Sequence, residues 1–271
     1  MTGTIVKSIA IGLAFLYSIT GFAIEKTPFT SEEKILIRKL IKDDVDGSKI
    51  GYDTGILYGL NIDKIDGEDE LFVDSRKIVR QFDKNELKGN RLYKGKVIAV
   101  KGLIENVGLD IMNNPYVALS GGGGIRSFQG FIDKKDEVSM LFAENLIKGQ
   151  EITLVCKVKG LFGNVLGEKC YLLVPRVEAI GEAMMAAVDS YGVKKLPRKE
   201  AKLLNSKIAL SFVIAKQVFQ RMNKDERNSC MGEDFSETCK NAFSEKTQEV
   251  IDTKEKAEQL FKEAENFVNS L

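Results

Sequence analysis

Between Arg91 and Val177 the apolar residues stop recurring at helical spacing and begin to alternate, in short runs separated by glycine. The first run, about Lys94 to Val107, is too long for a strand of a flat sheet, and its alternation breaks at Gly102. A glycine there lets one strand bend sharply and serve two sheets. The next runs are Tyr116 to Leu119, after the turn at Asn113-Asn114-Pro115, and Ile125 to Ile132. A helical segment, Asp136 to Ile147, carries Val138, Leu141, Phe142 and Leu146 as its apolar side and ends at Gly149. Two further runs follow, Glu151 to Lys159 and Glu168 to Val174.

Three strands, a helix and two strands are the element order of an OB-fold, a small, partly open β-barrel. The chain therefore reads as α+β: a five-stranded OB-fold barrel with flanking helices and a C-terminal helical hairpin. Its division is 1–23, a signal peptide; 24–90, a mixed extension; 91–177, the barrel; and 178–271, a helical region. Within the extension, Thr30 and Glu33 have capping-box form and start a helix that ends near Lys42. Gly55 to Ile62 reads as a strand, and Asp69 to Asn90 as one helix with Leu71, Ile78, Val79, Phe82 and Leu87 on one side. Asp43 to Gly47 and Asp63 to Gly67 lack the ligand spacing of a calcium loop and read as turns.

Ser120-Gly121-Gly122-Gly123-Gly124 joins the second and third strands. No Lys-Ser/Thr follows it and no helix opens from it, so it is a hairpin loop rather than a phosphate loop. The chain contains no histidine, which removes the usual general base and the usual zinc ligand. No carboxylate pair or Ser-Lys arrangement takes its place, so a non-enzyme without metal or cofactor is expected. The net charge of +1 argues against a strongly electrostatic nucleic-acid binder.

Ser8 to Thr20 is apolar, Lys7 precedes it, and Gly21-Phe22-Ala23 places small residues at a cleavage site. This is the pattern of a signal peptide cut after Ala23, with an uncleaved anchor as the alternative. After cleavage no stable membrane span remains, and a periplasmic or secreted location follows. Four cysteines come after the signal. An even count in an exported chain favours disulfides, and locality favours Cys156–Cys170, on adjacent strands, and Cys230–Cys239, in the helical tail. Four free thiols in the cytosol is the reading if the signal is wrong. In the tail, Val177 to Ser190, Lys199 to Met222 and Phe235 to Leu271 read as helices, the last two paired as a hairpin.

The stretch from about Ile78 to Val174 resembles the tRNA_anti-like OB-fold family of bacterial proteins. The resemblance rests on Tyr93-Lys94-Gly95-Lys96, Val100-Lys101-Gly102, Tyr116-Val117-Ala118-Leu119, Lys148-Gly149-Gln150-Glu151-Ile152-Thr153-Leu154, Cys156 and Cys170-Tyr171-Leu172. It implies the barrel and often an exported setting, but not tRNA binding. Barrels of this kind bind across the second and third strands, where Lys101, Tyr116, Arg126 and Phe128 are the candidate contacts. The leading expectation is an exported module that binds an oligosaccharide, another macromolecule or a protein of the cell envelope. A single-stranded nucleic-acid binder is the alternative, possible but not favoured.

Overall fold

The computed structural model describes residues 29–52, 54–65, 71–190, 196–232 and 236–270. Segment 1–23, read from the sequence as a signal peptide, lies outside them. In chain order the elements are α1 (Ser31–Lys49), α2 (Gly55–Gly59), β1 (Phe72–Asp74), α3 (Ser75–Lys84), α4 (Glu86–Tyr93), β2 (Val97–Leu109), β3 (Pro115–Leu119) and β4 (Phe128–Ile132). Then come α5 (Glu137–Ala143), β5 (Glu151–Phe162), β6 (Asn164–Leu172), α6 (Leu173–Ser190), α7 (Arg198–Ala201), α8 (Ser206–Arg221), α9 (Lys224–Ser229), α10 (Glu237–Val250) and α11 (Lys254–Ser270). One compact unit spans Val45–Ile180; the other holds the described residues of 1–44 and 181–271.

In the first unit β2 to β6 close a barrel in the order β2-β3-β4-β6-β5, sealed by β5 pairing back onto β2. β4 and β6 run parallel, and the other barrel pairs are antiparallel. β2 serves two neighbours, as the interrupted alternation predicts: Val97–Leu103 pairs with β5 and Ile104–Leu109 with β3. The irregularity falls at Ile104/Asn106 rather than at Gly102. Gly102 answers a different need. A Cβ there would lie 2.3 Å from the Ser75 hydroxyl, which enters the sheet to donate to the Ser120 carbonyl at 2.7 Å.

Several expectations for the extension are corrected. Gly55 to Ile62 contains the helix α2, capped by Thr54, rather than a strand. α1 runs through Asp43–Gly47 to Lys49, so no turn forms there. The single helix from Asp69 to Asn90 is three elements. Phe72–Asp74 forms β1, a parallel partner of β2 at Ala99–Lys101. Asn85 then ends α3 and caps α4 through its side chain, which leaves Leu87 82% exposed. Ile78, Val79 and Phe82 of α3 do enter the barrel core, together with Tyr93.

That core also holds the Cys156–Cys170 disulfide, whose two half-cystines are fully buried, with Cα atoms 4.2 Å apart on β5 and β6. Gly130 and Gly167, paired across β4 and β6, make room for it. A Cβ at Gly130 would come within 3.0 Å of Cys170 Sγ, and one at Gly167 within 2.7 Å of Cys156 Cβ.

α5 buries only part of its apolar pattern: Met140, and Leu146 just beyond the helix, pack on the barrel core. Leu141 and Phe142 are exposed, while Ser139 and Ala143 are buried. Hydrogen bonds reverse the preference: Ser139 Oγ donates to Asp136 Oδ2 at 2.6 Å and accepts from the Leu172 N–H at 2.9 Å. Arg176 closes the cluster on Asp136 at 2.8 Å and stacks over the Tyr171 ring.

In the second unit Val218, Phe219 and Met222 of α8 pack with Leu36 of α1, Ala242 and Val250 of α10 and Leu260 of α11. Phe212 stacks on Phe267 at 5.3 Å. The expected tail helix from Phe235 is interrupted between Val250 and Lys254, giving α10 and α11, and both pack against α8. The helix from Lys199 begins instead as short α7 and resumes at Ser206, capped by Asn205. Cys230, at the end of α9, is bonded to Cys239 in the first turn of α10. Among the described residues no helix is long and apolar enough to cross a membrane.

Candidate ligand-binding face

Along each barrel strand, successive side chains point to opposite faces. In β4 the burial pattern puts Phe128, Gly130 and Ile132 inside, and Gln129 and Phe131 outside. The register then places Tyr116 of β3 beside Phe131, and Ala118 beside Gln129. The Tyr116 and Phe131 rings are tilted, with centroids 6.1 Å apart, and both side chains are half-buried. From β2, Asn106 Nδ2 donates to the Tyr116 hydroxyl at 2.8 Å and fixes the ring's tip. From β6, Asn164 Nδ2 donates to Gln129 Oε1 at 3.2 Å. Two aromatic rings are thus framed by amides on the outer surface of β3 and β4.

Two hairpins bound this face. The β2–β3 turn is organised by Asp110, whose carboxylate accepts from the backbone N–H groups of Met112 at 2.8 Å and Asn114 at 2.7 Å. The Asn114 backbone N–H, then its side chain, holds the Asp110 carboxyl below the usual carboxylate range. The turn so fixed carries Ile111 and Met112 out into solvent. At the opposite end of β4 the β5–β6 turn exposes Phe162 beside Gly163, which takes a positive φ of 68°.

The candidate contacts from the sequence do not converge. Tyr116 lies on the face. Phe128 is fully buried in the barrel core, because the inward positions of β4 are those of even number, and it is corrected from ligand contact to core residue. Phe131, the outward aromatic, is the residue that the sequence reading missed. Arg126 precedes β4 and pairs with Asp83 of α3. Lys101 is seven positions along β2 from Gly108, the partner of Tyr116, which is about 23 Å of strand. It pairs with Glu151 at 2.9 Å, and the two line a separate depression of about 480 Å³ with Asp74, Arg76 and Gly122. Arg76 there is held by Asp74 at 2.9 Å, and this guanidinium lowers the Asp74 carboxyl pKa. The depression therefore offers no unmatched charge among its described residues.

The glycine loop also receives a structural account. A Cβ at Gly121 would lie 2.0 Å from the Arg126 carbonyl oxygen, and Gly122 and Gly123 have φ of 86° and 98°. Glycine is required there by backbone approach and handedness.

Residues 58–171 match the family model described as tRNA_anti-like, from within α2 to within β6. The chain has no match among curated proteins. The matched segment contains the closed barrel in OB-fold strand order, which makes this part of the chain a generic OB-fold binding module. Residues 58–171 thus form a segment similar to the tRNA_anti-like family.

Proposed function

We propose that the protein is an exported, non-catalytic module that binds an envelope macromolecule on the outer face of β3 and β4. One observation carries the site: the half-buried Tyr116–Phe131 pair stands outside the barrel, between the two exposed hairpins. Rings kept at a surface cost less to desolvate and offer apolar area to a ligand. The non-catalytic reading is supported by the displaced titratable groups, which have structural causes: Asp74 through Arg76, Asp110 through Asn114, and Tyr171 raised by burial. Export is supported by the two disulfides, which fit an oxidising compartment.

The site is tested by offering the full protein a soluble oligosaccharide, a single-stranded oligonucleotide and an unstructured peptide. Whichever binds, the Tyr116→Ala/Phe131→Ala double variant should weaken it at least about tenfold, since each stacking ring is worth roughly 1–3 kcal/mol. Its unfolding midpoint should fall by several °C at most, because the half-buried cross-strand pair adds on the order of 1 kcal/mol to a barrel whose core is untouched. A ligand held equally well by the double variant removes the face from consideration.

Export is checked by the intact mass of protein recovered from cell fractions, with and without reductant and alkylating agent. A periplasmic species lacking residues 1–23, with no thiol to alkylate before reduction, is expected. A full-length cytosolic species with four alkylated cysteines would end the export reading.

A further inference from the structure

Resting on the face proposed above, we infer that its ligand is an uncharged oligosaccharide: sugar rings lie on Tyr116 and Phe131, and their oxygens are met by Gln129. The inference starts from a backbone group. The Ser127 N–H donates to the Asn164 side chain at 3.0 Å, so the Asn164 atom it meets is the amide oxygen. The other end of that amide is then NH₂, and it donates to Gln129. Gln129 must present its own oxygen to Asn164, which leaves its NH₂ group for another partner. Gln129 Nε2 has no hydrogen-bond partner among the described residues. One fixed N–H thereby sets two amides in sequence and delivers a pair of donors beside the rings.

Tyr116 adds to this. Its hydroxyl oxygen already accepts from Asn106, so its proton is available to a ligand oxygen, and Asn106 Oδ1 remains as an acceptor. Donors and an acceptor beside aromatic faces suit a sugar, whose hydroxyls act in both senses and whose C–H face is apolar.

Charge separates this ligand from a nucleic acid. A single strand brings a phosphate with every nucleotide, and binding it requires lysines or arginines along its track. The outward positions across the face are Asn106, Tyr116, Ala118, Gln129, Phe131 and Leu166. None of these is a cation; the bulge beside Asn106 adds the exposed carboxylate of Glu105, and the β6 residues opposite Phe131 are Glu168, paired with Lys159, and Lys169, the one lysine that borders the face on β6 among the described residues. The basic candidates named from the sequence are held elsewhere, Lys101 by Glu151 and Arg126 by Asp83.

The test follows backbone amide resonances of the full oxidised protein during titration with chitotetraose, with maltotetraose and, separately, with a single-stranded oligothymidylate. At least one tetrasaccharide should shift the amides of Tyr116, Gln129 and Phe131 saturably. Its Kd should change by less than about twofold between roughly 50 and 300 mM salt, since no ion pair is made. Gln129→Glu keeps the shape and the acceptor facing Asn164 but removes the donors, and should weaken the sugar at least about fivefold. Oligothymidylate shifting the same amides, with a Kd that rises steeply with salt, would overturn the ligand class and leave the face standing. A tetrasaccharide that moves only amides elsewhere would overturn the face itself. No shift from either tetrasaccharide overturns the inference, as does full affinity in Gln129→Glu.

Discussion

Gly167→Ala is expected to lower stability by about 3 kcal/mol, at the upper end for one added methyl in a packed core. The new Cβ would stand 2.7 Å from Cys156 Cβ, 2.9 Å from Phe128 Cζ and 3.0 Å from Cys156 Sγ. None of these atoms is the free end of a flexible side chain. Cys156 is bonded to Cys170, and Phe128 is fully buried. β6 itself is hydrogen-bonded on both sides, to β4 and to β5, so it cannot drift outward. Gly124→Ala is the comparison: its nearest neighbour would be Arg126 N at 3.9 Å, and about 0.5 kcal/mol or less is expected. Urea unfolding of the two variants reads the difference directly. Coincident midpoints would mean that the barrel interior yields more readily than its packing implies.

Loss of the barrel disulfide should cost more. Cys156 and Cys170 are separated by 14 positions, so the bridge restricts the unfolded chain by about 3 kcal/mol. The Cys156→Ala/Cys170→Ala variant also empties a fully buried volume. Gly130 and Gly167 line that volume and bring no side chain to fill it, so a further 1–2 kcal/mol or so is expected. The tail bridge, Cys230–Cys239, closes 9 positions and is worth about 2.7 kcal/mol by the same entropy. The barrel variant should therefore unfold at the lower urea concentration. Gly167→Ala should also be less harmful once the sulfurs are gone, with a coupling of about 1 kcal/mol or more. Strictly additive penalties would show that the glycine and the disulfide do not share space.

The element order of the barrel was legible because strands and turns write their own signals: period two, broken by Asn-Pro and glycine. The pairing of the cysteines was legible because it is local in sequence. What escaped was decided by contacts from afar. β1 has only three residues, and its Phe72 and Val73 merge into the apolar pattern of the helix that follows. The burial of Ser139 depends on Asp136 and on the Leu172 N–H, and no periodicity carries that information. In β4 a phenylalanine stands on each parity, Phe128 and Phe131, so alternation alone does not say which one faces out. The register with β3 decides it. Lys101 and Arg126 looked like free cations because Glu151 and Asp83 are 50 and 43 positions away.

The short strand β1 has a bearing on where this domain begins. It covers the edge of β2 at Ala99–Lys101, and the helix after it supplies Ile78, Val79 and Phe82 to the barrel core. A fragment cut at Arg91, just ahead of the barrel strands, would bare that edge to other chains and open the interior to water. The smallest piece able to fold alone, or to be carried intact into another protein, must start upstream of Phe72. The family match agrees, since it begins at residue 58.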